Sequence, residues 1–217
     1  KKAKLTSLEV EMELFNKLEQ DLVLSRELED HAMKENIELT DLAILTQNVT
    51  YSKQSLAKSL RVNLEFSLPQ DEVKEEFLMH LKQAGTPAEI LAISDYAVPI
   101  DGKWMAILIA KLIDISILLA FDNEKSSVKV TIDSKMAQSV IVTIKALRIS
   151  LKQLPTDLLF KQYYGNLIEN TNLKLGSGLE GFIAKAISNQ LSIPLETDYN
   201  TILHQLNFTI TLSKKAH

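Results

Sequence analysis

From residue 5 to residue 67 the chain runs without a glycine or a proline and is rich in Leu, Glu and Lys. Within it, Leu8, Met12, Phe15, Leu18, Leu22 and Leu28 recur at spacings of three, four or six, which marks one face of a helix. A second series, Leu39, Leu42, Leu45, Val49, Leu56, Leu60 and Leu64, repeats the pattern. About sixty residues exceed an ordinary globular helix, so a turn is expected within 33–38, around Lys34-Glu35-Asn36. The prediction is an antiparallel helical hairpin over residues 1–68. Two helices alone leave their apolar stripes uncovered. Pairing two hairpins into a four-helix bundle covers them, which predicts a homodimer.

The texture changes at Leu68-Pro69. Asp71 to Gln83 reads as a helix, its first turn acidic and its end marked by Gly85. Ile90 to Ala97 is a short strand candidate. Lys103 to Phe121 reads as a buried helix, and Ser127 to Asp133 and Val140 to Ala146 as strands flanking a turn. Leu154 to Tyr163 is a short helix with Pro155 in its first turn, and residues 165–178 a loop. Leu179 to Leu191 is helical, and Ile193 to Glu196 and Leu206 to Leu212 are strands. This grouping predicts an α+β chain whose second domain, residues 69–217, layers helices on one face of a mostly antiparallel sheet.

Composition narrows the function. A net charge of −4 over 217 residues lacks the basic footprint of nucleic-acid binding. The absence of cysteine excludes disulfides and thiolate chemistry and suits a reducing compartment. The opening Lys-Lys-Ala-Lys leads into charged sequence rather than an apolar signal core, so the expectation is a cytoplasmic protein. Trp104 to Phe121 is long enough to suggest a membrane span. Lys111 and Asp114 in its middle would each cost about 2.5–3.5 kcal/mol there, so a core helix is expected and no membrane partner.

Candidate chemistry centres on Gly176-Ser177-Gly178-Leu179-Glu180-Gly181-Phe182-Ile183. A glycine-rich turn opening a helix brings backbone amides close to a phosphate, but Glu180 puts a negative charge inside this one. No Gly-x-Ser-x-Gly elbow is present. Asp21, Glu27, Glu29 and Asp30 read as a solvated acidic helix face. His80, His204 and His217 have no neighbours that suggest a relay or a metal site, and no metal or cofactor is expected.

The order of these motifs resembles the bacterial sensor histidine kinase core, a dimerising helical hairpin joined to an ATP-binding (Bergerat) α/β sandwich. The family's Gly-x-Gly-Leu-Gly-Leu turn, following helix and closing strand are matched by Gly176 to Ile183 and by Leu206-Asn-Phe-Thr-Ile-Thr-Leu212. Trp104 to Phe121 stands where the family has its asparagine-bearing helix. The departures imply loss of nucleotide. The magnesium-positioning asparagine falls near Lys111 or Ile115, and a lysine offers only donors. The family's Asp-x-Gly-x-Gly turn is replaced by Lys145-Ala-Leu-Arg-Ile-Ser150, and Glu180 repels phosphate. The glycine turn Gly176, Gly178 and Gly181 is then vestigial.

A hairpin with a nucleotide-free kinase-like domain is similar to the ChpT-like histidine phosphotransferases, in which a helix histidine passes phosphate between response-regulator receiver domains. Leu147 to Leu159 looks like their replacement for the adenine turn, and Leu56-Ala-Lys-Ser-Leu60 like their second hairpin helix. This resemblance implies a phosphotransferase-like relay, with receiver domains or a sensor kinase as partners and no ATP-dependent activity. Its His-Asp pair falls on Gln20-Asp21, where the aspartate is present and the histidine is not. His31, flanked by carboxylates about three helical turns further on, is the candidate phospho-acceptor. A binding-only scaffold or decoy is the alternative, and an aberrant ATP-dependent kinase a third.

Overall fold

The computed structural model describes residues 2–30, 33–68, 94–120, 126–134, 138–149, 155–164 and 176–214, with side chains from residue 15 onward. Helix α1 spans Lys2–Glu29 and strand β1 Glu38–Asp41. Helices α2 and α3 span Leu42–Ser52 and Gln54–Ser59, followed by β2 over Asn63–Ser67. Next come β3 (Ala97–Ile100), α4 (Gly102–Ala120), β4 (Ser127–Asp133) and β5 (Ser139–Leu147). A 3-10 helix over Thr156–Phe160 precedes α5 (Glu180–Gln190), β6 (Leu195–Asn200) and β7 (Gln205–Ser213).

Five strands form one sheet in the order β2-β4-β5-β7-β6. β2 runs parallel to β4 and every other pair is antiparallel. Register places the apolar residues in rows across one face: Leu64, Val128, Ala146 and Leu206; Phe66, Val130, Ile144 and Phe208; Ile132, Val142 and Ile210. Apart from the partly buried Phe66, these residues are buried. The period-2 alternation of β5 and β7 thus turns one apolar set inward, each large side chain contributing about 1.5–3 kcal/mol. Lys129, Thr131, Thr143, Lys145, Asn207 and Thr209 occupy the opposite face.

Helix α4 is buried along most of its length, from Trp104 to Ala120, and packs on β4, β5, α2 and α5. Asp101 opens it. Its Oδ1 accepts from Trp104 N–H at 3.0 Å and its Oδ2 from Asn36 N–H at 2.6 Å, so one carboxylate caps the helix and ties down the segment after α1. The Trp104 indole N–H donates to Lys34 O at 3.2 Å, and the Lys103 ammonium lies 4.7 Å from the ring centroid.

The elements expected over residues 103–121, 127–133, 140–146, 179–191 and 206–212 are present with small shifts of boundary. The region around Pro155 is a 3-10 helix, and the strand expected from Ile193 begins at Leu195.

The second hairpin helix is corrected. Residues 39–64 form β1, α2, α3 and the start of β2, and β2 pairs with β4 inside the five-stranded sheet. Leu42 and Val49 do face inward from a helix, but Leu64 points into the core from a strand. With no glycine or proline to punctuate this stretch, a helix-like spacing of apolar residues runs on across two strands. Residues 38–67 are therefore built into the sandwich, and α1 alone precedes it. The helix expected over 71–83, Gly85 and most of the strand expected over 90–97 lie outside the described residues.

Candidate functional site

The glycine turn and the N-terminus of α5 meet α1 and α4 at a cluster of buried charges. Lys17 of α1 places its ammonium 3.3 Å from Asp114 Oδ2 and 3.2 Å from Glu180 Oε1. Lys53, between α2 and α3, donates to Asp114 Oδ2 at 2.9 Å. Lys111 of α4 pairs with Asp21 Oδ1, and Ser177 Oγ donates to Asp21 Oδ2 at 2.6 Å. Three lysines thus face three carboxylates, and the cluster is neutral. Asp114 and Glu180 are fully buried, whereas the side chains of Lys17 and Lys53 are each 22% exposed.

Two amides of the turn are already used. Ser177 N–H donates to Glu180 Oε1 at 2.9 Å, and Leu179 N–H donates to Ser177 Oγ at 3.2 Å. Tyr164 O–H reaches Glu180 Oε2 at 3.3 Å. Asp114 Oδ1 is buried with no hydrogen-bond partner among the described residues. Gly178 adopts the left-handed conformation, φ +73°, which only glycine takes without strain.

Burial opposes ionisation of Asp114, Glu180 and Lys17, and their partners outweigh it. For Asp114 the ammonium groups of Lys17, then Lys53 and Lys111, hold the carboxyl below its ordinary range. For Glu180, Lys17 and the Ser177 amide do the same. Lys17 is held above the ordinary lysine value by Asp114 and Glu180. Burial and then Glu180 push the Tyr164 phenol well above its own.

The pH dependence follows in sign. A depressed carboxyl stabilises the fold above its unfolded pKa near 4 and loses that contribution as pH falls through the depressed value. A raised lysine contributes fully below about 10.5 and loses its share as pH climbs through the raised value. Urea midpoints followed by circular dichroism should be flat with respect to this cluster between about pH 5 and pH 9. They should fall below about pH 4, with Lys17→Met flattening the acid limb.

Helix α1 is seated by its polar side. Asp21, Ser25 and Leu28 are buried against the body, and Gln190 donates to Leu28 O at 2.8 Å. Its outward side carries Phe15 at 67%, Leu22 at 45% and Val23 at 65% exposure. Of the stripe that sequence placed inside a bundle, Phe15 and Leu22 therefore face solvent in the single chain, while Leu28 turns to the body.

Of the expected site residues, Gly176, Gly178 and Gly181 lie together at the α5 entrance. Gln20 is exposed on α1. Asp21 is buried rather than part of a solvated acidic face, a correction that its bonds to Lys111 and Ser177 explain. Ile115 is fully buried, and Lys111 points to α1. His31, His80 and His217 lie outside the described residues. His204 is in the exposed β6–β7 turn, with its carbonyl accepting from Ile149 N–H. Lys17 and Lys53 were missed. The available signal was the unpaired Asp114 within an apolar helix, which demands a cation that sequence does not locate. Among the described residues no group of His, Cys, Asp and Glu is arranged to hold a metal, and no helix is long and apolar enough to cross a membrane.

No protein-family model matches the chain, and no curated protein matches its sequence. Solved structures match its fold. Histidine kinase AdeS of Acinetobacter baumannii superposes with a TM-score of 0.62 at 17% identity, covering 100% of this chain and 86% of that one. Full-length ShkA in complex with AMPPNP gives 0.65 at 12% identity, over 99% of this chain and 39% of that one. Histidine kinase ThkA in complex with response regulator protein TrrA gives 0.58 at 16%, over 93% and 49%. The α/β sandwich is that of the histidine-kinase ATPase fold.

Proposed function

We propose that this chain is a nucleotide-free, kinase-fold module of a two-component phosphorelay, docking response-regulator receiver domains in the manner of a histidine phosphotransferase. The observation that carries the reading is the glycine turn. In ATP-binding members of the resembled family this turn serves phosphates. Here Glu180 and Ser177 take the amides of Ser177 and Leu179, and Asp21 and Lys17 of α1 stand against the turn. A phosphate entering would meet two carboxylates and find those two amides already bonded. The kinase–regulator complex of ThkA supports a receiver domain as the partner class.

On this reading α1 is the relay and dimerisation arm, and residues 38–214 form the docking body. Leu8, Phe15 and Leu22 fall seven residues apart, a seam that α1 of a second copy covers. In an active relay His31 is the acceptor. Its ring nitrogen attacks the phosphorus of a receiver aspartyl phosphate, a P–N bond forms as the acyl P–O bond breaks, and the aspartate leaves as carboxylate. Gln20, without a nucleophilic nitrogen at the position expected for the acceptor, favours the second reading, a dimeric scaffold or decoy that binds receivers without transfer.

The test is incubation with a phosphorylated receiver. Acid-labile label on the protein, absent in His31→Ala, is expected of the relay. Receiver binding without label supports the scaffold. Label from Mg-ATP alone would overturn both.

A further inference from the structure

We propose that Asp114 and Glu180 form a recognition site for a primary ammonium group carried on a helix, filled in this structure by Lys17 of α1. The two carboxylates come from different helices, α4 and α5, and both are fully buried. Their separation lets one ammonium sit 3.3 Å from the first and 3.2 Å from the second. An ammonium has three donors, so it can serve both oxygens and retain one for water. A guanidinium is planar and larger, and fits a single carboxylate edge-on.

Neighbouring groups define the ligand further. Glu180 is held in place by Ser177 N–H and Tyr164 O–H, and Asp114 by Lys53, so the pair is preorganised before α1 arrives. Lys111 and Ser177 stand ready for a carboxylate one helical turn after the lysine, the place Asp21 takes. The full ligand is therefore a helix presenting Lys-x-x-x-Asp. Leu28 of α1 is buried in the core and Leu24 packs against it, while Phe15, Leu22 and Val23 face away. These apolar contacts anchor the C-terminal half of the helix, and the charge geometry selects the segment carrying Lys17 and Asp21. A helix from a partner bearing the same pair is the ligand that competes with α1.

The test is chemical complementation on the full chain. Lys17→Ala removes the side chain beyond Cβ and leaves a vacancy the size of n-propylammonium. The variant should melt about 6 °C or more below the parent. Added n-propylammonium chloride should restore at least half of that loss, with no effect on the parent. Sodium chloride at equal ionic strength, n-propanol and guanidinium should not. A labelled peptide of residues 15–29 should bind the variant, and its Lys17→Met version at least tenfold less tightly.

If Lys17→Ala does not fold, Lys17→Met, which keeps the stem without the charge, is titrated with the wild-type peptide instead. A parent-like melting point for Lys17→Ala overturns the proposal. So does equal rescue by guanidinium or salt, or equal binding of the two peptides to whichever variant folds. None of these readouts involves a receiver or a phosphate, so they stand or fall apart from the relay.

Discussion

Gly181→Ala is expected to cost about 3 kcal/mol or more, at the upper end of what an added methyl does in a packed interior. A Cβ on Gly181 would stand 1.7 Å from Leu159 O, 2.7 Å from Leu159 C and 3.3 Å from Phe160 Cα. All three are backbone atoms, so no side chain can swing aside. Relief requires α5 and the 3-10 helix to move apart, and Leu159, fully buried between them, moves with it. For a chain of this length the loss corresponds to a fall in Tm of about 6–12 °C. Differential scanning calorimetry checks it. A variant within 2 °C of the parent would mean that the two helices do not approach as described. The third glycine of a phosphate-like turn is thus required by helix packing, whether or not a nucleotide binds.

Asp114→Ala is the second large effect, about 3–5 kcal/mol. The carboxylate is the shared acceptor for Lys17 and Lys53, and without it Lys53 has no carboxylate partner among the described residues. Lys17 keeps Glu180, and both lysines are exposed enough to reach water, which places the cost toward the lower end of that range. The remainder comes from opening a hole in the middle of α4. Asp114→Asn should cost less, because it keeps the volume and an oxygen acceptor for Lys53. Replacing one ion pair together should recover much of the loss: Lys53→Met with Asp114→Leu removes one charge of each sign and leaves Lys17 to Glu180. Urea denaturation of this series reads the coupling directly. Additive single losses with no recovery in the double variant would show that the charges do not act together.

Much of the fold was legible in the sequence where one period held over a whole element. β4, β5 and β7 alternate cleanly, and α4 is apolar on nearly all sides, as a helix buried between a sheet and other helices must be. Residues 39–64 misled because α2 does satisfy helical spacing through Leu42 and Val49. The strands on either side are only four and five residues long, too short to establish a period of their own. The site was legible in half. Lys111, Asp114 and Glu180 stood out as charges in apolar or glycine-rich settings. Their partners Lys17, Asp21 and Lys53 lie in stretches where lysine and aspartate are unremarkable, and only the packing of α1 and α2 against α4 and α5 brings the six together. The apolar series of α1 mixed two sides of the helix: Phe15 and Leu22 turn away from the body, while Leu28 enters its core.

The single tryptophan sits where that packing can be watched. Trp104 is almost completely buried, yet its indole is tied to the Lys34 carbonyl, in the segment that leads out of α1. Lifting α1 far enough to draw Lys34 from its place would break that bond and admit solvent to the ring. The chain therefore carries its own optical gauge: a red shift and a change in quantum yield of its sole indole emission would report undocking in real time, in the unlabelled wild-type protein.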